Sequence, residues 1–132
     1  MKRGRLKKRS KIGYSQSKCD DLLTPIIKLM HPHCLLGGEP TEVAHHHVHK
    51  SKSNRLRYDF LNLIPLCHKC HQALHHNESY HGSRVTAIKG LEWFAELEKA
   101  KRESVKVNKG YYKEVYERLL AHYERELSKT NT

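Results

Sequence analysis

The stretch that decides the fold is AHHHVHKSKSNRLRYDFLNLIPLCHKCHQALHH, which runs from Ala44 to His76. It opens on a run of histidines, His45 to His47, and closes on the segment Cys67–His71 (CHKCH), with a further histidine at His75. Imidazole is the commonest neutral metal ligand in proteins, and it can act as a base near pH 7. The density of imidazoles and thiols therefore predicts that this stretch coordinates metal.

The apolar residues in this stretch predict two short strands followed by a short helix. Val43 and Val48 flank the histidine run and indicate one strand of a hairpin, and residues 61–66 indicate a buried strand that contains Asn62. From His68 to about residue 77 the chain should be helical. Two histidines four residues apart, His71 and His75, would then share one face of that helix.

The outer elements are predicted to be mainly helical. Residues 20–30 suit an amphipathic helix that starts near Thr24, because Pro25 is tolerated in a first turn. Residues 78–83 are predicted to be a loop, and residues 84–103 a helix that Gly90 could break. Residues 111–127 carry an apolar and tyrosine stripe at helical spacing, which favours a core-facing helix.

The charge of the chain is strongly basic and unevenly distributed. The formal net charge is +11, and residues 1–90 carry 16 Lys and Arg against 6 Asp and Glu. Residues 1–18 alone hold eight basic residues and no acid, which predicts a flexible basic arm. A basic surface of this kind indicates a nucleic-acid partner, although it also suits an ordinary solvated face.

Four basic residues in the polar segment after the histidines are the candidates for phosphate contact: Lys50, Lys52, Arg55 and Arg57. For Arg57, an ion pair with Asp59 is an equal alternative.

The composition allows only a modest hydrophobic core and suggests that a bound metal ion helps to stabilise the fold. The chain has 132 residues, of which 37% are hydrophobic, so only a modest core can form. We find no signal-peptide pattern and no apolar run long enough for a membrane helix, which predicts a cytoplasmic protein. In that setting the cysteines are expected to bind metal rather than to form disulfides.

The central stretch resembles the HNH endonucleases, a family with the ββα-metal fold. The family's form N-L-x-x-L-C-x-x-C-H is matched at every fixed position by NLIPLCHKCH, residues 62–71. The strand histidines His45 and His46 stand where the family has its Asp/His-His pair, and His75 resembles the extra helix histidine of the colicin DNases. The motif covers roughly residues 34–76.

The resemblance implies a role for each histidine. His46 would be the general base, while His45, His71 and His75 would hold a catalytic divalent ion (Mg²⁺, Mn²⁺, Ni²⁺ or Zn²⁺). Asn62 would fix the hairpin loop and orient the base. The histidine run leaves a second register open, in which His47 is the base and His46 a ligand.

The resemblance also implies a structural Zn²⁺ held by two CxxC pairs. Cys67 and Cys70 form one pair, but the first pair is incomplete, because glycine stands three residues after Cys34. His31 is the candidate fourth ligand and Cys19 is its rival. The alternative is that Cys34 is a buried thiol and no zinc binds.

Together these features predict an α+β fold: a small ββα-metal core with a zinc knuckle and flanking helices. The expected organisation is a basic arm at 1–18, a nuclease core at 19–83 and a helical extension of the same domain at 84–132. The expected function is metal-dependent hydrolysis of DNA in a bacterial or phage-infected cell, since phage HNH proteins are similar in length and charge. The alternative is a non-catalytic zinc-binding module for DNA binding or recombination.

Overall fold

The computed structural model describes residues 14–130, which form five α-helices and one two-stranded antiparallel sheet. This mixed architecture is compatible with the predicted α+β class. In chain order the elements are α1 (Gln16–Met30), β1 (Val43–His46), β2 (Leu63–Leu66), α2 (His68–His76), α3 (Glu78–Lys89), α4 (Leu91–Lys101) and α5 (Tyr111–Thr130). Most of the predicted basic arm, residues 1–13, lies outside the described residues, and residues 16–18 belong to α1.

The hairpin follows the predicted order of strands but is shorter than expected. β1 pairs with β2 in the register that sets His45 opposite Ile64 and His46 opposite Leu63. A single 3₁₀ turn, Phe60–Asn62, precedes β2, so Asn62 lies in the turn and not within the strand. The Asp59 carboxylate accepts a hydrogen bond from the Leu61 N–H at 2.9 Å and so caps this turn.

Helix α1 begins earlier than Thr24, and Pro25 lies inside it. The Ser15 hydroxyl accepts a hydrogen bond from the Lys18 N–H at 3.2 Å, which caps the helix eight residues before the predicted start. One face of α1 is fully packed, and this burial outweighs the hydrogen bond that Pro25 cannot donate. The buried residues of this face are Cys19, Leu23, Ile26 and Ile27.

Residues 78–83 are helical, in contrast to the predicted loop. Asn77 ends α2 and its side chain accepts a hydrogen bond from the Tyr80 N–H at 3.3 Å, so one residue both closes α2 and opens α3. The predicted break at Gly90 is confirmed: its φ of +99° is a backbone conformation that favours glycine, and it separates α3 from α4.

Two hydrophobic clusters pack on either side of the hairpin. One joins the sheet to α2, α3 and α4 and includes Ile64, Leu74 and Leu97. The other joins the sheet to α1 and α5 and includes Leu63 and Leu119. Leu63 and Ile64 of β2 thus point to opposite faces of the sheet and pack into different clusters, so the hairpin is held between the two clusters. No helix among residues 14–130 has the length and apolar character needed to cross a membrane.

Candidate functional site

Three histidines from two elements meet beside the hairpin. The ring of His45, on β1, lies 5.1 Å from that of His71 and 6.2 Å from that of His75, measured between centroids. On α2 the Nε2 atoms of His71 and His75 stand 3.2 Å apart, which follows from their four-residue spacing on one helical face. The structure therefore brings together the three histidines that the sequence assigns to a catalytic metal.

Burial keeps two of these imidazoles neutral, those of His45 and His71. It lowers the pKa of His45 to about 3, with a further contribution from the neighbouring His71. The pKa of His71 is also lowered, chiefly by burial and then by His75. Rings without a proton on one nitrogen keep a free lone pair at pH 7, which is the state that a metal ligand or a base requires.

His46 is held by the backbone of the segment between the strands. Its Nε2 lies 2.9 Å from the carbonyl oxygen of Arg57, so in the neutral ring Nε2 carries the proton and donates it to that oxygen. The Nδ1 atom then keeps its lone pair. Burial lowers the pKa of His46, an effect that the bond to the Arg57 carbonyl partly offsets.

The position of Arg57 is itself fixed from α1. Its guanidinium donates two hydrogen bonds to the Asp20 carboxylate, from Nε at 3.1 Å and from Nη2 at 2.7 Å. Burial acts against the charged form of Asp20, but the hydrogen bonds from Arg57 and Tyr58 and the charges of Arg57 and Lys50 together outweigh it, and the pKa of Asp20 is lowered. Asp20 thus links α1 to the carbonyl that orients His46.

His47 occupies a different environment. Its ring contacts Trp93 of α4 edge-on, with the centroids 5.1 Å apart, and burial lowers its pKa. The Trp93 indole N–H donates a hydrogen bond to the Leu61 carbonyl at 2.8 Å, which fixes the ring against the turn before β2.

Asn62 is fully buried and bridges the loop that leaves β1. Its Oδ1 accepts a hydrogen bond from the Val48 N–H at 2.7 Å, and its Nδ2 donates to the Val48 carbonyl at 2.9 Å. The His47 N–H also donates to the Asn62 carbonyl at 2.9 Å. Asn62 therefore holds the histidine run in place without lying among the metal-ligand candidates.

The histidines line a groove made of two adjoining cavities. The larger, of about 940 Å³, extends along α3 past Ser79, Ser83 and Thr86. The smaller, of about 350 Å³, extends towards α1 and Lys50. Four histidines line both cavities: His45, His46, His49 and His75.

The cysteines form a second centre at the start of α2. The Sγ atoms of Cys34, Cys67 and Cys70 all lie within 4.8 Å of one another, and this cluster could hold a metal ion such as zinc. Among the described residues it is the one group of three ligand atoms that close together, so the three histidines are more widely spaced than the thiols.

Protonation of the thiols is unequal. Burial raises the pKa of Cys70, and its hydrogen bonds with Cys67 and Cys34 raise it further. Burial acts in the same direction on Cys34, but bonds from backbone N–H groups outweigh it and its pKa is lowered. A cation bound among the sulfurs would favour the thiolate form of all three.

The two candidates for a fourth zinc ligand lie outside this cluster. His31 follows the last residue of α1 and is exposed, and it does not belong to the group of close ligand atoms. Cys19 is buried in the cluster that joins α1 to α5, where its Sγ contacts the Tyr112 carbonyl oxygen at 3.4 Å.

The four basic candidates divide into two kinds. Lys50 and Lys52 are exposed, and Lys50 lines the groove. Arg55 pairs with Asp59 at 2.6 Å and with Glu103 at 3.1 Å, and Arg57 pairs with Asp20. The suggested pair of Arg57 with Asp59 is wrong, because Arg55 takes that carboxylate. In this structure the ion pairs of both arginines stabilise the loop between β1 and β2.

The sequence interpretation does not identify three features of the site: Asp20, Trp93 and the hydroxyl side chains of α3 that line the groove. Asp20 stands 37 residues from Arg57, too far along the chain for a local pattern to pair them. Trp93 carries no signal beyond its apolar side chain in the helix predicted for residues 84–103. Ser79 and Ser83 lie in the predicted loop 78–83, although Asn77 is a common helix-capping residue and signals a helix start there.

The chain matches no protein-family model, no curated protein and no solved structure.

Proposed function

We propose that this protein is a metal-dependent endonuclease that hydrolyses DNA with HNH-type residues. The observation that carries the proposal is the meeting of three imidazoles, those of His45, His71 and His75, beside a fourth that is oriented by a backbone carbonyl. This arrangement combines a candidate ligand set with a candidate base.

The histidines suit a divalent ion in kind and in charge state. The lowered pKa values of His45 and His71 favour the unprotonated form at pH 7. The 3.2 Å between the Nε2 atoms of His71 and His75 is close to the roughly 3.3 Å expected between two nitrogens bound tetrahedrally to one zinc ion. An ion held here would stabilise charge on the scissile phosphate and on the leaving oxygen.

His46 is the proposed general base. With Nε2–H bonded to the Arg57 carbonyl, Nδ1 is free to accept a proton from the attacking water. Asp20 and Arg57 act as positioning residues, because they fix the carbonyl that sets the tautomer. His45 is the strand histidine next to His71 and His75, which favours the register with His46 as the base over the one with His47.

The groove suits a nucleic-acid strand. It passes the histidines from α1 to α3, and it offers Lys50 near one end and the hydroxyls of Ser79, Ser83 and Thr86 along the other. Hydroxyls and lysines are common phosphate contacts that carry no sequence information. The net charge of +11 adds a general attraction for a polyanion.

The direct test is incubation of the purified protein with supercoiled plasmid DNA. We expect nicked or linear product with at least one of Mg²⁺, Mn²⁺, Ni²⁺ and Zn²⁺, none with EDTA, and ends that carry 5′-phosphate and 3′-hydroxyl groups. Single-stranded and branched DNA are run in parallel. Absence of cleavage on every substrate with every ion would contradict the proposal.

A non-catalytic zinc-binding DNA module is the second candidate. It is favoured by one specific observation: the sulfur atoms are close enough together to share an ion, whereas the three imidazoles are not as tightly grouped. Salt-dependent DNA binding with no cleavage under any of the conditions above would select this function.

A further inference from the structure

The two chain segments that supply the cysteine cluster, one beginning at Cys34 and one at Cys67, form the same turn. The Gly37 N–H donates to the Sγ of Cys34 at 3.4 Å, and the Cys70 N–H donates to the Sγ of Cys67 at 3.4 Å. In each case the donor is three residues after the cysteine whose sulfur accepts. Gly37 is therefore the geometric counterpart of Cys70, with a hydrogen atom in place of the side chain.

Gly37 also faces the cluster at short range. A Cβ added to Gly37 would stand 3.2 Å from the Sγ of Cys70, so a side chain here would face that sulfur, and Cys70 would have to shift slightly to admit it. Its φ is not in the left-handed region, and the backbone would accept another residue. The space beside Gly37 is a cavity of about 510 Å³ that also reaches Glu39, Glu42, Cys67 and Cys70.

The neighbouring carboxylates are not grouped with the sulfurs. Glu42 accepts a hydrogen bond from the His68 N–H at 2.9 Å and so is engaged at the start of α2. Neither Glu39 nor Glu42 belongs to the group of close ligand atoms found in residues 14–130. The segments outside that range, 1–13 and 131–132, contain no His, Cys, Asp or Glu.

We propose that a metal ion bound by Cys34, Cys67 and Cys70 keeps an exchangeable fourth position, open through the cavity at Gly37 to a monodentate thiolate or imidazole. With a metal ion bound, water would fill that position at rest. An entering thiol would lose its proton to solvent, bind the metal through sulfur and displace the water, with no change of oxidation state. This inference does not depend on the nuclease proposal, because it concerns the cysteine cluster and none of the histidines proposed for catalysis.

Cobalt(II) substitution tests this directly, since its visible absorption reports the number and kind of ligands. We expect the protein with Co²⁺ at the cysteine cluster to change its d–d bands when 2-mercaptoethanol or imidazole is added, and to keep them with ethylene glycol, the oxygen analogue of the thiol. Bands that stay unchanged with both donors would overturn the proposal, as would failure of the cluster to bind Co²⁺.

Two variants sharpen the test. Gly37→Cys should add a fourth thiolate, increase the sulfur-to-cobalt charge-transfer absorption and abolish the response to added thiol. Glu39→Gln should leave the wild-type spectrum and its response unchanged. If Glu39→Gln shifts the bands of the resting protein, Glu39 is the fourth ligand and the position is not open. Should Gly37→Cys fail to fold, the wild-type titration and Glu39→Gln still decide the matter.

Discussion

The pairing between the two strands ends at His46, and beyond it the side chain of Asn62 supplies the hydrogen bonds to the backbone. Asn62 is fully buried, so water cannot replace Val48 as the hydrogen-bond partner of its amide. The asparagine was predictable from the sequence as the residue that fixes the loop. Its two-sided bond to Val48 was not, because the sequence pattern placed Asn62 within a strand, whereas it lies in the 3₁₀ turn before β2.

Asn62→Ala should lower the free energy of unfolding by about 2–4 kcal/mol, because each polar group left unpaired costs about 1–3 kcal/mol. Urea denaturation monitored by circular dichroism gives this value. Asn62→Asp should cost at least as much as the alanine variant, because it buries a carboxylate against the Val48 carbonyl that the Asn62 amide now donates to. A loss below about 0.5 kcal/mol for the alanine variant, the range of an ordinary surface change, would refute the bridging role.

His47 provides a pH-dependent signal, because its ring contacts the chain's single tryptophan. Burial lowers the pKa of His47 below its ordinary value of 6.5, so the unfolded chain takes up the proton first as the pH falls. This histidine therefore destabilises the fold when the pH falls below about 6.5 and has no such effect above it.

Trp93 fluorescence should consequently be quenched by the imidazolium of His47, with a midpoint below pH 6.5. His47→Ala should remove this transition, whereas His49→Ala, in an exposed neighbour, should leave it in place. A midpoint at or above 6.5, or a transition that persists in His47→Ala, would mean that the buried edge-on contact is not maintained in solution.

At the scale of elements, sequence periodicity predicted what is local and missed what depends on packing. The helix that carries His71 and His75 was predictable, because four-residue spacing sets side chains on one face. The start of α1 was not, since Pro25 argued for Thr24 while the burial of Leu23 and Ile26 favours the longer helix. The continuation of helix through 78–83 likewise depends on the dual role of Asn77.

Helix α5 stabilises the site indirectly, through α1. Leu119 of α5 is fully buried in the cluster that contains the packed face of α1, the helix that carries Arg57's partner Asp20. Leu119→Ala should cost about 2–4 kcal/mol of unfolding free energy, as expected for a buried leucine. Leu91→Ala, at a side chain that is 82% exposed, should change it by less than about 0.5 kcal/mol. Equal effects of the two substitutions in thermal or urea denaturation would contradict this packing.

At the scale of the whole molecule, the domain is small and its two hydrophobic clusters are modest, so a bound metal ion would add to its stability. We expect about one zinc ion per chain by elemental analysis, and Cys67→Ser should abolish both zinc retention and cooperative folding, because structural zinc binding is coupled to folding. Cys19→Ser is the control, as that thiol lies in the other cluster and should leave the zinc content unchanged. Zinc-free protein that folds normally after chelation would remove the metal from this account.

The sequence predicts that the basic charge favours nucleic acid, but it does not predict which basic side chains pair with carboxylates of the chain itself. Arg55 and Arg57 were assigned to phosphate because they follow the histidines in sequence, whereas the fold turns both guanidiniums onto carboxylates. Asp20 and Glu103 are distant along the chain, so no local pattern predicts them as partners. Lys50 and Lys52 therefore remain the exposed candidates in this loop for contact with DNA.

The measurement that tests the central claim most directly is the cleavage rate and DNA affinity of His46→Ala beside those of the wild type and His47→Ala. His46→Ala removes the proposed base but keeps His45, His71, His75 and the basic surface. We predict a rate lower by about 10²–10⁴, the usual contribution of a positioned base, with nearly unchanged affinity in a salt-matched binding assay. His47→Ala should cleave at close to the wild-type rate. Loss of cleavage in His47→Ala with cleavage retained in His46→Ala would move the base by one residue, and full cleavage by both variants would contradict catalysis by these histidines.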